Sequence, residues 1–193
     1  MALYIDRKNE KRTIRAFTHK LADIPNGVNV ATADFTQTRV LEGVPVGKDT
    51  NSLYHIVKTA EIAVAATNTA TTLTVKKGHN FKIGDVVFAA LKGKAYAITA
   101  IAENATDSSL QDITIGTTLG VALAAGDVIA QAPAAGASAG AFKYAPVGLL
   151  GESYDVEQLQ NRPANVVTVG QMLKANAPAL GFVAEQLKGI VLI

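Results

Sequence analysis

A chain of 193 residues that is 49% hydrophobic has enough apolar material for one compact domain or two small ones, and it is not a disordered tail. A net charge of +2 is too small to argue for a nucleic-acid or membrane-surface binder, and the absence of cysteine excludes disulfides and thiolate metal sites. Aromatics make up 6% and charged residues 18%, so a surface this poor in charge is expected to lie partly under partners.

In chain order, residues 1–24 read as an N-terminal arm without core periodicity. Its basic cluster of Arg7, Lys8, Lys11, Arg12, Arg15 and Lys20 is diluted by Asp6 and Glu10. It reads either as a solvated arm or as one that docks on an acidic surface. The opening residues are polar and basic, so no secretory signal is expected, and the apolar stretches are too interrupted to span a membrane. Pro25-Asn26-Gly27 marks a turn, the stretch from Gly43 to Ser52 is turn-rich, and Leu53 to Lys58 alternates like a half-buried strand.

The next stretch contains a repeat. Thr72-Leu73-Thr74-Val75 leads into Phe81-Lys82-Ile83-Gly84-Asp85-Val86-Val87, and Thr114-Ile115 leads into Leu123-Ala124-Ala125-Gly126-Asp127-Val128-Ile129. Leu73 precedes Gly84 by 11 residues, and Ile115 precedes Gly126 by 11 again. Each copy reads as a strand, a short connection, a Gly-Asp turn that reverses the chain, and a second strand. The doubled unit predicts a small β-barrel over 61–132, with a hairpin turn at Lys92-Gly93-Lys94 and a strand from Ala95 to Ile101.

Residues 133–141, all small apart from Pro133, read as an Ala/Gly linker. Beyond it, Pro146 to Leu150 and Asn165 to Gly170 are strand-like, and Val183 to Lys188 suits a short helix ended by Gly189. The apolar end Ile190-Val191-Leu192-Ile193 is expected to be packed in the core or against another subunit. The fold expected is mainly β: residues 25–60 and 142–193 form a β-rich base with a short C-terminal helix, and the barrel is inserted as a projection.

Chemistry-bearing patterns are few. No glycine spacing suits a phosphate loop. The three histidines, His19, His55 and His79, have no nucleophile or carboxylate in a recognisable frame, and read as arm, strand-edge or turn residues. Asp85 and Asp127 occupy equivalent places in the repeat, so a pseudo-symmetric barrel could pair them as a catalytic or metal site. The favoured alternative is that Gly84-Asp85 and Gly126-Asp127 are structural turns, each carboxylate accepting its own turn's amides. Asn104-Ala105-Thr106 reads as a polar turn. No catalytic, metal or cofactor-binding residue is expected, and no enzyme activity.

Three pieces of the chain carry a likeness: Leu41-Glu42-Gly43-Val44-Pro45-Val46-Gly47 followed by Tyr54-His55-Ile56-Val57-Lys58; Gly78 to Val86; and Ala145-Pro146-Val147-Gly148-Leu149-Leu150. Together they resemble head decoration and head-fibre proteins of tailed bacteriophages. The last is similar to a strand of the phage lambda head decoration family, with Val167-Thr168-Val169-Gly170 an approximate match to that family's later strand. The resemblance implies a virion structural protein, made in the host bacterial cytoplasm, that sits on the outer capsid surface as a homotrimer. Its partner would be the major capsid protein, reached through the arm, with a further fibre subunit or a host glycan left open as additional partners. The central repeat departs from the family as an extra barrel. A host-glycan-binding fibre or adhesin is the alternative, but Phe81, Phe88 and Tyr96 fall at strand positions expected to be buried rather than free to stack on sugars.

Overall fold

The computed structural model describes residues 15–156 and 161–193, which make a mainly β protein. In chain order come β1 (Phe17–Asp23), β2 (Val28–Val30), β3 (Arg39–Val40), β4 (Pro45–Lys48) and β5 (Tyr54–Ile56). Next are β6 (Thr59–Glu61), β7 (Thr72–Lys76), β8 (Val86–Phe88), β9 (Ala95–Glu103), β10 (Leu110–Ile115) and β11 (Val128–Ala132). Last are β12 (Pro146–Leu150), β13 (Tyr154–Asp155), β14 (Arg162–Ala164), β15 (Val166–Met172) and β16 (Ile190–Leu192). Among the described residues no helix is long and apolar enough to cross a membrane.

Six strands form one sheet in the order β6-β11-β8-β9-β10-β7. Its edges meet where Ile62 bridges Val75 and the Ala63 N–H donates to the Thr74 carbonyl at 2.9 Å, so the curled sheet closes on itself. Closure sends alternate side chains inward. Leu73 and Val75 of β7, Ile113 and Ile115 of β10 and Ile129 of β11 fill the interior, and Phe81 joins them from a connection. The strand preceding each Gly-Asp turn does not pair with the strand following it, as a simple reversal would require. Instead β7 pairs with β10 and β8 with β11, all antiparallel. Both Gly-Asp turns bond to another part of the sheet instead, Gly84 and Asp85 to Ile98 of β9 and Gly126 and Asp127 to Ile62 just beyond β6, so neither turn folds its second strand back on its first.

The second sheet has eight strands, in the order β1-β15-β12-β4-β5-β2-β14, with β16 parallel beside β15. β3 and β13 make a separate pair. At its centre, consecutive residues face opposite cores: Leu150 and Val166 join one apolar cluster, while Leu149 and Val167 join another with Phe17 and Met172. A strand covered on both faces reads as an unbroken apolar run, which is why Leu149-Leu150 and Val166-Val167 show no alternation.

The sequence expectations need correction in four places. Residues 1–14 lie outside the described residues, but Phe17–Asp23, expected within the arm, is an edge strand antiparallel to β15. Only Phe17 of β1 is buried, so the strand is held by main-chain hydrogen bonds and leaves no periodic trace. Thr59–Glu61 belongs to the six-stranded sheet, so this sheet begins before residue 61. Residues 133–141 are not a slack linker. Ala95 and Gly136 exchange two backbone hydrogen bonds of 2.9 and 2.8 Å, and the Gly140 N–H donates to the Gly93 carbonyl at 2.8 Å. The small side chains permit that approach, since a Cβ on Gly140 would collide with the Ala90 carbonyl and come within 2.8 Å of the Gly93 nitrogen. Finally, the C-terminal helix is a 3-10 helix over Gly181–Gln186, not a helix over 183–188.

That 3-10 helix joins the two sheets. Phe182 meets Phe88 of β8 at 5.4 Å between ring centroids, and Phe142 packs on both at 5.3 and 5.6 Å. Elsewhere the junction is polar: the Thr36 N–H donates to Asn80 Oδ1 at 3.0 Å, and Lys82 Nζ to the Ala33 carbonyl at 2.7 Å.

Candidate interaction surfaces

β1, β15 and β16 present an uncharged outer face. Register aligns His19, Gln171 and Val191 across the three strands, and Leu21 and Val169 stand beside them around a groove of about 420 Å³. Leu21 is 74% exposed and Val191 57%. Period-two geometry divides the expected oligomer-contact residues. Ile190 and Leu192 pack into the core with Met172 and Leu187, while Val191 and Ile193 point outward. Fully burying a Val or Leu is worth about 1.5–3 kcal/mol, so this face would gain substantially from a cover. Gly189 brings β16 close, since a Cβ there would collide with the Thr168 carbonyl.

Glu42 fixes β1 in place. Its buried carboxylate accepts the Ala16 N–H at 2.9 Å and pairs with Lys20 Nζ at 2.7 Å, while Lys20 also reaches the Gly151 carbonyl. Of the expected docking-arm residues, Arg7, Lys8, Lys11 and Arg12 lie outside the described residues. Arg15 is exposed, and its carbonyl accepts a hydrogen bond from Asn176 Nδ2 at 3.0 Å. The chain therefore enters the described structure beside the 3-10 turn at Lys174–Asn176.

The two Gly-Asp turns share one hydrogen-bond pattern. Gly84 and Gly126 have φ of +92° and +95°, which glycine tolerates at no steric cost. Asp85 Oδ2 accepts the Lys82 N–H at 2.9 Å, and Asp127 Oδ2 accepts the Ala124 N–H at 2.7 Å. Each glycine N–H donates to an isoleucine carbonyl, Ile98 or Ile62, whose own N–H donates back to the aspartate carbonyl. Their surroundings then differ. Lys58 Nζ pairs with Asp85 Oδ2 at 2.8 Å and Gln131 Nε2 donates to Oδ1 at 2.7 Å, with Lys58 and Gln131 both buried. Asp127 is exposed at the other end of β11, four residues or roughly 13 Å from Gln131. The structure does not bring the two carboxylates together.

The histidines also differ from one another. His19 is exposed on the apolar face. His79 is buried, its Nδ1 accepting the Phe81 N–H at 3.2 Å; desolvation pushes its pKa below 6.5, and the Gln111 side chain opposes this only in part. His55, which the sequence leaves without a carboxylate partner, has two: Nδ1 lies 2.6 Å from Asp34 Oδ2 and Nε2 lies 3.5 Å from Asp49 Oδ2. Its ring stacks on Tyr144 at 4.1 Å. Burial, then the negative charges of Asp34 and Asp49, raises the Tyr144 pKa above 10.0. Asp34 and Asp49 stand 21 and 6 positions from His55, and no motif links them. Asn104 Oδ1 accepts the Thr106 and Asp107 amides at 3.0 Å, forming a polar turn.

Comparison with protein-family models, curated proteins and solved structures finds no match for this chain.

Proposed function

We propose that this chain is a non-enzymatic virion structural protein that binds the outside of a tailed-phage capsid as a decoration or head-fibre protein and stabilises the shell. It would be made in the host bacterial cytoplasm, act as a homotrimer, and have the major capsid protein as its partner. The observation that supports this reading best is the uncharged face of Leu21, Val169 and Val191. Side chains near a rotation axis meet their own copies, so a self-associating surface is best free of fixed charge. The host-glycan adhesin reading is weaker on the barrel's own residues. Phe81 and Phe88 are buried, and Tyr96 packs against the barrel core, so none of the three offers a face to a sugar.

The test combines light scattering with particle binding. The purified protein is expected to be trimeric at micromolar concentration, and Val191→Asp to be monomeric yet folded. Capsids lacking the protein should take it up and resist thermal rupture at higher temperature. A wild-type chain that neither associates nor co-sediments with such capsids would overturn the reading.

A further inference from the structure

We propose that the groove across β1, β15 and β16 holds the apolar run Ala2-Leu3-Tyr4-Ile5 of a second copy of this chain, laid as a strand along the outer edge of β1. The contact rests on the self-association proposed above and specifies how it is made. The groove, of about 420 Å³, opens on a face where Leu21, Val169 and Val191 are 74%, 39% and 57% exposed. Among the described residues β1 pairs with β15 alone and stands at the end of its sheet. An end strand offers unpaired backbone N–H and C=O groups, and a segment added to it sets alternate side chains on the adjoining face. Edge and groove together suit an extended, uncharged segment.

The sequence ahead of β1 supplies such a segment. Ala2-Leu3-Tyr4-Ile5 carries no charge, whereas Asp6 to Arg12 holds six charged residues in seven. A fixed charge taken into an apolar groove without a partner loses its hydration uncompensated, so the run at 2–5 fits there and the stretch after it belongs outside. In an extended strand Leu3 and Ile5 share one face, and that face is the one turned to the groove.

The course of the chain into β1 favours a second copy over the same one. The Ala16 carbonyl accepts the Leu173 N–H at 2.9 Å, one step past the Phe17–Met172 pair, and the Arg15 carbonyl accepts Asn176 Nδ2 at 3.0 Å. The chain therefore comes in along the line of β1 from the Met172 end, while Leu21 lies towards the other end. Returning to the groove of the same copy needs a reversal between Asp6 and Ile14, a stretch with neither Gly nor Pro that would gather Arg7, Lys8, Lys11 and Arg12 into one bend. Ile5 stands 10 positions before Arg15, which gives an extended reach of about 33–36 Å, enough to cross to an adjoining copy.

The chain has no cysteine, so introduced thiols report the contact without background. In the double variant Ile5→Cys, Leu21→Cys of the full chain, a short bis-maleimide, which tolerates a few ångströms of register, should join copies into a ladder ending at three chains. Neither single variant can pass two. Ile5→Asp should weaken self-association roughly 10–100-fold in sedimentation equilibrium while keeping the wild-type far-UV circular dichroism, and Ile5→Val should associate like wild type. A cross-linked product with the mass of one chain would overturn the proposal in favour of the same copy's groove. A trimer that neither cross-links nor responds to Ile5→Asp would overturn this contact and leave the homotrimer standing, whereas a wild-type monomer would overturn both.

Discussion

Asp85 and Asp127 make the same local hydrogen bond, yet their removal should have unequal effects. Asp127→Ala removes one side-chain cap from an exposed turn and should cost about 0.5–2 kcal/mol. Asp85→Ala also leaves Lys58, whose side chain is 5% exposed, as a buried cation without its carboxylate, and should cost about 3–5 kcal/mol. Denaturant unfolding of the two variants measures the gap, and equal losses would show that Lys58 finds another partner. His79 gives the chain an acid sensitivity of known sign. Its folded pKa lies below the unfolded value of 6.5, so the unfolded chain takes up the proton first. The stability tied to the neutral ring is therefore complete above pH 6.5 and declines as the pH falls towards the folded value. His79→Asn offers an amide oxygen to the Phe81 N–H and does not titrate, so its stability should fall less steeply than wild type below pH 6.5. Parallel pH profiles would remove His79 as the cause.

At the scale of elements, legibility in the sequence depended on which force holds each strand. β7 could be read because Leu73 and Val75 face the core between Thr72, Thr74 and Lys76. β12 and β15 could be read because two cores cover them. β1 could not, since six of its seven residues are exposed and its hold comes from β15 and from the distant Glu42 carboxylate. The His55 centre was hidden for a related reason: its partners come from two separate turns whose meeting depends on the sheet. Small residues misled in a different way. The Ala/Gly run at 133–141 has the composition of a flexible connection, yet Gly140 lies where only a hydrogen fits. Gly140→Ala must push the backbone at Ala90 and Gly93 apart, at a cost of about 1–3 kcal/mol. A melting temperature unchanged by that substitution would show that the segment can yield.

Taken whole, the molecule couples a closed six-stranded sheet to an eight-stranded one through contacts that neither sheet makes alone. The aromatic group of Phe88, Phe142 and Phe182 draws one ring from the barrel, one from the segment after it and one from the C-terminal 3-10 helix. Lys82 and Asn80 reach from the barrel to Ala33 and Thr36 on the other side. A barrel tethered only by its two chain crossings would melt independently; one gripped on two sides should unfold with its base. Thermal unfolding of wild type should therefore show one transition that is coincident by far-UV and near-UV circular dichroism. Phe182→Ala takes away the helix's contribution to the aromatic group and should lower stability by about 1–3 kcal/mol. Because the polar side of the junction remains, the variant should still unfold in a single step. Two resolved transitions in the wild-type protein would mean that the junction is too weak to couple the sheets.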